Sequence, residues 1–113
     1  MTQDAPKREQ LSRERLGDGD VQDRKPPGWW GDDGLLFRVF AFDTYLQGVD
    51  FAVRVAELAE AQDHHPDITV MYKKVKVNYS THDVGGVTEF DLRGAAAVNS
   101  LFDLPSDARS GEG

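Results

Sequence analysis

"DHHPDITVMYKKVKVNYSTHD", Asp63 to Asp83, decides how this chain folds, because the period of the apolar residues changes within it and all three histidines fall there. Ile68, Val70 and Tyr72 recur at every second position, and Val75, Val77 and Tyr79 do the same. A period of two is that of strands with one face against a core. Lys73-Lys74 is a weak turn signal, so the stretch is two strands or one bent strand. With Val75, Val77 and Tyr79 inward, Lys76, Asn78, Ser80 and His82 share the more polar face, and His82 is displayed at the strand's end. Pro66 pushes the residue before it toward extended geometry and so ends the preceding element.

That element has a helical period. In "FDTYLQGVDFAVRVAELAEAQDHHP", Leu46, Val49, Val53 and Ala56 recur at helical spacing, and Tyr45, Ala52 and Ala59 widen the stripe. Asp43 or Thr44 caps the start, and His64 and His65 stand at the carboxyl end. Further upstream, "GWWGDDGLLFRVFAF" sets the turn formers Asp32, Asp33 and Gly34 between two aromatic-rich runs, the pattern of a β-hairpin anchored by Trp29 and Trp30. Leu36, Phe40 and Phe42 lie on one face of its second run, and Leu35, Phe37 and Val39 on the other. An apolar second face on so small a domain suggests a subunit contact. Downstream of His82, "DVGGVTEFDLRGAAAVNSLF" reads as a glycine turn and a second helix. Thr88 with Asp91 resembles a capping box, Val87 with Leu92 a hydrophobic staple, and Leu92, Ala95, Ala96, Asn99 and Phe102 mark one face. The order hairpin, helix, hairpin, helix predicts an α+β domain: a four-stranded antiparallel sheet with two or three helices on one face.

The ends are different in kind. Residues 1–27 contain no aromatic residue and few apolar ones, so they are expected to be largely disordered, with a short helix near "PKREQLSRERLG". The expected domain runs over 28–103, and 104–113 is a loose tail. With 20 acidic against 13 basic residues, a net charge of −7 and no cysteine, the chain has no electrostatic footprint for nucleic acid or an anionic membrane, and no disulfide framework or thiolate metal site. No apolar stretch is long enough for a bilayer or resembles a signal peptide. A soluble cytoplasmic protein is expected.

Three readings of the histidines compete. They are ordinary surface or capping residues; or His64, His65 and His82 supply imidazoles to a metal, although no HxH or HxxxH spacing is present; or they perform acid/base catalysis without metal, since the unperturbed imidazole titrates near working pH.

The series Glu60, three residues, His64-His65-Pro66, five residues, Tyr72, nine residues, His82, eight residues, Asp91 resembles the signature of the pterin-4a-carbinolamine dehydratases. "GWW", "FRVFAF", "AELAE", "VKVNYSTHDVGGVTEFD" and the alanine-rich last helix resemble that family too, so the likeness covers about Gly28 to Phe102. It implies the same α+β fold, assembled as a homodimer or homotetramer. It also implies loss of water from a 4a-hydroxytetrahydropterin to give a quinonoid dihydropterin, with no cofactor or metal, in the service of an aromatic amino acid hydroxylase. Carried over by position, His64 and His82 are the principal acid/base pair and His65 polarises substrate near the leaving hydroxyl. Pro66, Thr81, Asp83 and Val84 fall at pterin contacts. Glu60, one turn before His64, is placed to orient it or to be merely solvated, whereas Asp91 is read first as a helix cap. Tyr72 and Tyr79 read as core. Members of the family usually carry an apolar first helix leading straight into the glycine-tryptophan element, whereas here "GDGDVQDRKPP" intervenes and "REQLSRERL" makes a poor apolar helix. The alternative is a non-catalytic protein on the same fold, a transcriptional coactivator or an assembly factor for Rubisco.

Overall fold

The computed structural model describes residues 11–103. The readings of 1–10 and of 104–113 lie outside them. In chain order the elements are α1 (Asp18–Arg24), β1 (Trp30–Gly31), β2 (Leu36–Ala41), α2 (Tyr45–Gln62), β3 (Asp67–Met71), β4 (Lys74–Tyr79), a 3-10 turn (His82–Val84) and α3 (Glu89–Asp103). The strands form one antiparallel sheet in the order β1-β2-β4-β3. Two local hairpins therefore meet along their inner strands, and the α+β architecture is as expected.

The first hairpin turns where its chemistry requires. Asp32 Oδ1 accepts from the backbone N–H of Gly34 at 2.8 Å and of Leu35 at 3.0 Å, so a side chain replaces the missing ladder partners. In the second hairpin the turn falls at Tyr72 and Lys73, one residue earlier than the lysine pair suggested. Lys73 takes the left-handed conformation there, φ 62°. Register then fixes which residues share a face: Phe40 opposes Val75, Arg38 opposes Val77 and Leu36 opposes Tyr79. Leu36, Phe40, Val75, Val77 and Tyr79 are buried, together with Phe51 and Val55 of α2 and Leu92, Ala95 and Val98 of α3. Each such side chain contributes roughly 1.5–3 kcal/mol relative to exposure. Rings of Phe40, Phe51 and Phe102 meet at centroid distances of 4.9 to 5.8 Å.

Two expectations about faces need correcting. In α2 the buried stripe is Gly48, Phe51, Val55 and Ala59, while Leu46 is 73% exposed and Val53 51% exposed. The helix is apolar around much of its circumference, and Phe51, its largest ring, sets the phase by packing on Phe40 and Phe42. In α3, Ala96 is exposed and Val98 takes the core position. Of the paired tryptophans only Trp29 is an anchor, its Nε1 donating to Asn99 Oδ1 at 2.7 Å; Trp30 is 63% exposed. Tyr72 is likewise 72% exposed at its turn rather than in the core.

A further difference is at the front. Residues 11–17 are not helical, but "DGDVQDR" is, and Val21 joins the core with no exposed surface. A seven-residue helix is unstable alone; packing holds this one. Gly31 makes room for it, since a Cβ there would lie 2.8 Å from Leu36 Cδ1 and 3.4 Å from Val21 Cγ1, and Gln22 Nε2 donates to Gly31 O at 2.6 Å. Ahead of α1, Leu16 N–H donates to Val87 O at 2.8 Å and Ser12 N–H to Glu89 at 2.9 Å. The packed unit thus begins well before Gly28.

Candidate active site

His64 and His65 owe their positions to how α2 ends. Asp63 adopts the left-handed conformation, φ 52°. Its N–H donates to Glu60 O at 3.2 Å, and the His64 N–H reaches back to Ala59 O at 3.1 Å. This is the Schellman pattern, in which the residue after the left-handed one folds against the helix's last turn. The helix therefore ends ahead of Pro66, and the proline only prevents its resumption.

That geometry turns His64 inward. Its ring is stacked on Tyr79 (5.8 Å between centroids, 6° between planes) and tilted against Phe90 at 5.8 Å. Its Nε2 lies 2.7 Å from Oδ1 of Asp91, a side chain with no exposed surface. The other carboxylate oxygen of Asp91 accepts from Thr81 Oγ1 at 2.7 Å and from Thr88 N–H at 2.9 Å. Asp91 thus caps α3, as its position suggested, and holds His64 as well. Three hydrogen bonds are what a carboxylate buried at this depth requires. The spacing between His64 and Asp91 crosses a strand hairpin, so no local pattern in the sequence carries the pairing.

His65 and His82 are placed differently. Both line a recess with Leu35, Asp67, Asn78 and Ser80, His65 from the α2–β3 connection and His82 from the turn after β4. The recess holds about 20 Å³, room for about one water. His65 is half exposed, and its Nε2 lies 2.5 Å from Glu60 Oε2. Glu60 therefore reaches His65 and not His64, as its spacing had suggested. Asn78 was legible only as a residue on the polar face; its Oδ1 is buried and has no hydrogen-bond partner among the described residues.

The remaining expected contacts are spread out. Thr81 is buried, its hydroxyl shared between Asp91 and Thr88 and its backbone bonded to Val84, Gly85 and Gly86. Asp83 and Val84 are exposed on the turn beside His82, and Pro66 flanks His65. Among the described residues no group of three or more His, Asp or Glu side chains is arranged to hold a metal ion. His64 borders a separate groove with Arg13, Gln62, Phe90 and Arg93.

One further group belongs to this region. Burial pushes the Tyr79 phenol from 10.0 up to about 12, the Asp91 carboxylate adding to the rise and Arg93 opposing it. The hydroxyl has no partner among the described residues, and Gly94 is what admits the ring, since a Cβ there would stand 2.5 Å from Tyr79 Cζ.

The geometry can now be set beside known proteins. The family model for pterin 4 alpha carbinolamine dehydratase matches residues 9–101. A relative from Haloarcula marismortui assigned to that family is 41% identical over 88 residues, which span 78% of this chain and 96% of the relative. A solved structure described as a transcriptional coactivator/pterin dehydratase from Brucella melitensis superposes with a TM-score of 0.71 at 32% identity, covering 77% of this chain and 97% of that one. Another, described as a pterin dehydratase-like RuBisCO assembly factor of the alpha-carboxysome, gives 0.55 at 28% identity over 68% of this chain and 89% of that one. With the signature residues at the end of α2, the end of β4 and the start of α3, this chain belongs to the pterin 4 alpha carbinolamine dehydratase family.

Proposed function

We propose that the protein catalyses dehydration of a 4a-hydroxytetrahydropterin to the quinonoid dihydropterin, with histidines as the only acid/base groups. The observation that carries the reading is the meeting of His65 and His82, from two separate elements, on one recess. Dehydration requires a proton delivered to the departing C4a hydroxyl and one removed from a ring nitrogen. Two imidazoles on one wall suffice, since imidazole is a side chain that can act as either proton donor or proton acceptor. Glu60 at His65 Nε2 supports a fixed orientation for that ring. His64, clamped by Asp91 and stacked on Tyr79, is the positioned member of the set and forms the rigid flank of the site. Asn78, whose Oδ1 has no partner among the described residues, suits a donor on the amide edge of a pterin. Pro66, Asp83 and Val84 border the substrate, and Thr81 acts behind the site through Asp91.

The test is a dehydratase assay with enzymatically generated 4a-hydroxypterin, metal-stripped protein and the spontaneous reaction as baseline. Acceleration that His65→Ala and His82→Ala each abolish is expected. Wild-type protein no faster than the baseline would sink the reading. Activity lost on chelation and restored by zinc would sink its metal-free form.

A second reading has one specific support, the likeness to a structure described as a RuBisCO assembly factor. In that case the histidine variants would leave partner binding intact and the assay would show no catalysis. Self-association as a homodimer or homotetramer is also proposed, supported by Trp30 and Val39 on the bare sheet face and by the Leu46 and Val53 row of α2. Light scattering decides it.

A further inference from the structure

Beside His64 lies a groove of about 440 Å³, more than the recess at His65 and His82 offers and large enough for a small ligand. Its walls come from the end of α2, the first turns of α3 and the strap ahead of α1. Arg13 from the strap and Arg93 from α3 lie over the same ring, Phe90, with guanidinium carbons 4.9 and 5.5 Å from its centroid. In a chain of net charge −7, two guanidiniums close to one ring need a reason. Neither pairs with a carboxylate among the described residues, whereas Arg15, Arg24 and Arg54 all do. Arg93 donates through one nitrogen to Gln62 O at 3.2 Å, and its Nε is buried with no partner among the described residues. Gln62 Oε1 is also buried with no partner among the described residues, but as an acceptor it calls for a donor on the ligand. A buried charged group with an unmade hydrogen bond is left partly desolvated and uncompensated, so a ligand that supplies the acceptor binds with that advantage. Asp63 on the groove's rim is exposed and offsets one of the two positive charges.

We propose that this groove is a second binding site, for an oxyanion, phosphate or carboxylate, held between Arg13 and Arg93 against Phe90 and alongside His64. Guanidinium forks match the planar geometry of such groups and bind them through paired, charge-assisted hydrogen bonds. The ring beneath keeps the forks in place by cation–π contact. The anion is either free or carried as a substituent on a ring ligand; both share the same recognition chemistry.

The experiment is a nuclear magnetic resonance titration of the full chain with inorganic phosphate, chloride being withdrawn to hold ionic strength constant. Saturable shifts of the His64 ring and Arg93 side-chain signals are expected. Arg13→Gln and Arg93→Gln should each weaken binding about tenfold or more, while Lys74→Gln, the same charge loss at the sheet, leaves it unchanged. Should Arg93→Gln not fold, Arg13→Gln on the exposed strap carries the test. Shifts that do not exceed those of chloride, or equal weakening by Lys74→Gln, would overturn the proposal. A pterin with a side-chain phosphate ester, compared with the same pterin bearing a free hydroxyl, separates the sources. Tighter binding of the ester that Arg13→Gln removes places the anion on the ring ligand; equal binding of the two beside a saturable phosphate response leaves it free. The phosphate readout involves no turnover, so it stands or falls apart from the dehydratase reading.

Discussion

His64 and His65 are adjacent in sequence and opposite in situation. His64 is 15% exposed, stacked on Tyr79 and bonded to a carboxylate with no exposed surface, whereas His65 is 54% exposed and bonded to a carboxylate that is itself 77% exposed. A single left-handed residue, Asp63, sends one imidazole into the fold and leaves the next on the surface. A residue of the first kind is fixed by many partners, and its removal disturbs the fold. A residue of the second kind adjusts to a ligand at little structural cost. Family signatures merge the two because both are histidines.

The largest expected effect tests the exposed side. His82→Ala and His65→Ala should each lower kcat by about 10²–10⁴-fold while changing the unfolding free energy, measured by urea denaturation, by less than about 0.5 kcal/mol. A large loss of stability in either would erase the contrast. On the buried side Asp91→Ala should cost about 3 kcal/mol of stability, because it strips partners from His64, Thr81 and Thr88 at once. Chemical denaturation measures this, and a cost no greater than that of Glu60→Ala would show the clamp to be idle. Tyr79 gives a test by pH. Its folded-state value is raised above the 10.0 of the unfolded chain, so its contribution is intact below pH 10 and declines as pH rises toward about 12. On the order of 2 kcal/mol of wild-type stability should disappear across that window. Tyr79→Phe, which also deletes a buried unpartnered hydroxyl, should show no such decline. The smallest effect is Glu60→Gln: below about 1 kcal/mol in stability, since the pair is solvated, with a loss of activity smaller than that of His65→Ala.

How much of this the sequence disclosed follows from the range of the interactions. The Asp32–Gly34 turn, the alternation from Val75 to Tyr79 and the Thr88–Asp91 cap are local, and the sheet with its two long helices could be read from them. The phase of α2 does not follow from its own sequence because apolar residues surround the helix, and only packing on Phe40 of the preceding strand selects Phe51. Helix α1 was missed because one buried valine in "DGDVQDR" has no period. The histidines themselves were legible as a constellation. Their division into a clamped residue and two exposed ones was not, because Asp91 lies beyond an entire hairpin and the exit angle at Asp63 decides which ring meets it. The position of Arg13 over Phe90 was equally hidden, since the strap reads only as polar chain.

The strand order β1-β2-β4-β3 also bears on the order in which the protein folds. His65, Asp67, Asn78, Ser80 and His82 all belong to the β3–β4 hairpin or its immediate flanks, and hairpins of this kind close in roughly 1–10 μs. The Asp91 clamp on His64 requires α3, and the β2–β4 pairing must close a loop that contains all of α2, a non-local step that slows folding. The exposed wall of the site is therefore expected to assemble early and the clamp last. φ-values should be high at Val70 and Val75 and near zero at Asp91, so that substitutions at the clamp speed unfolding while those in the hairpin slow folding.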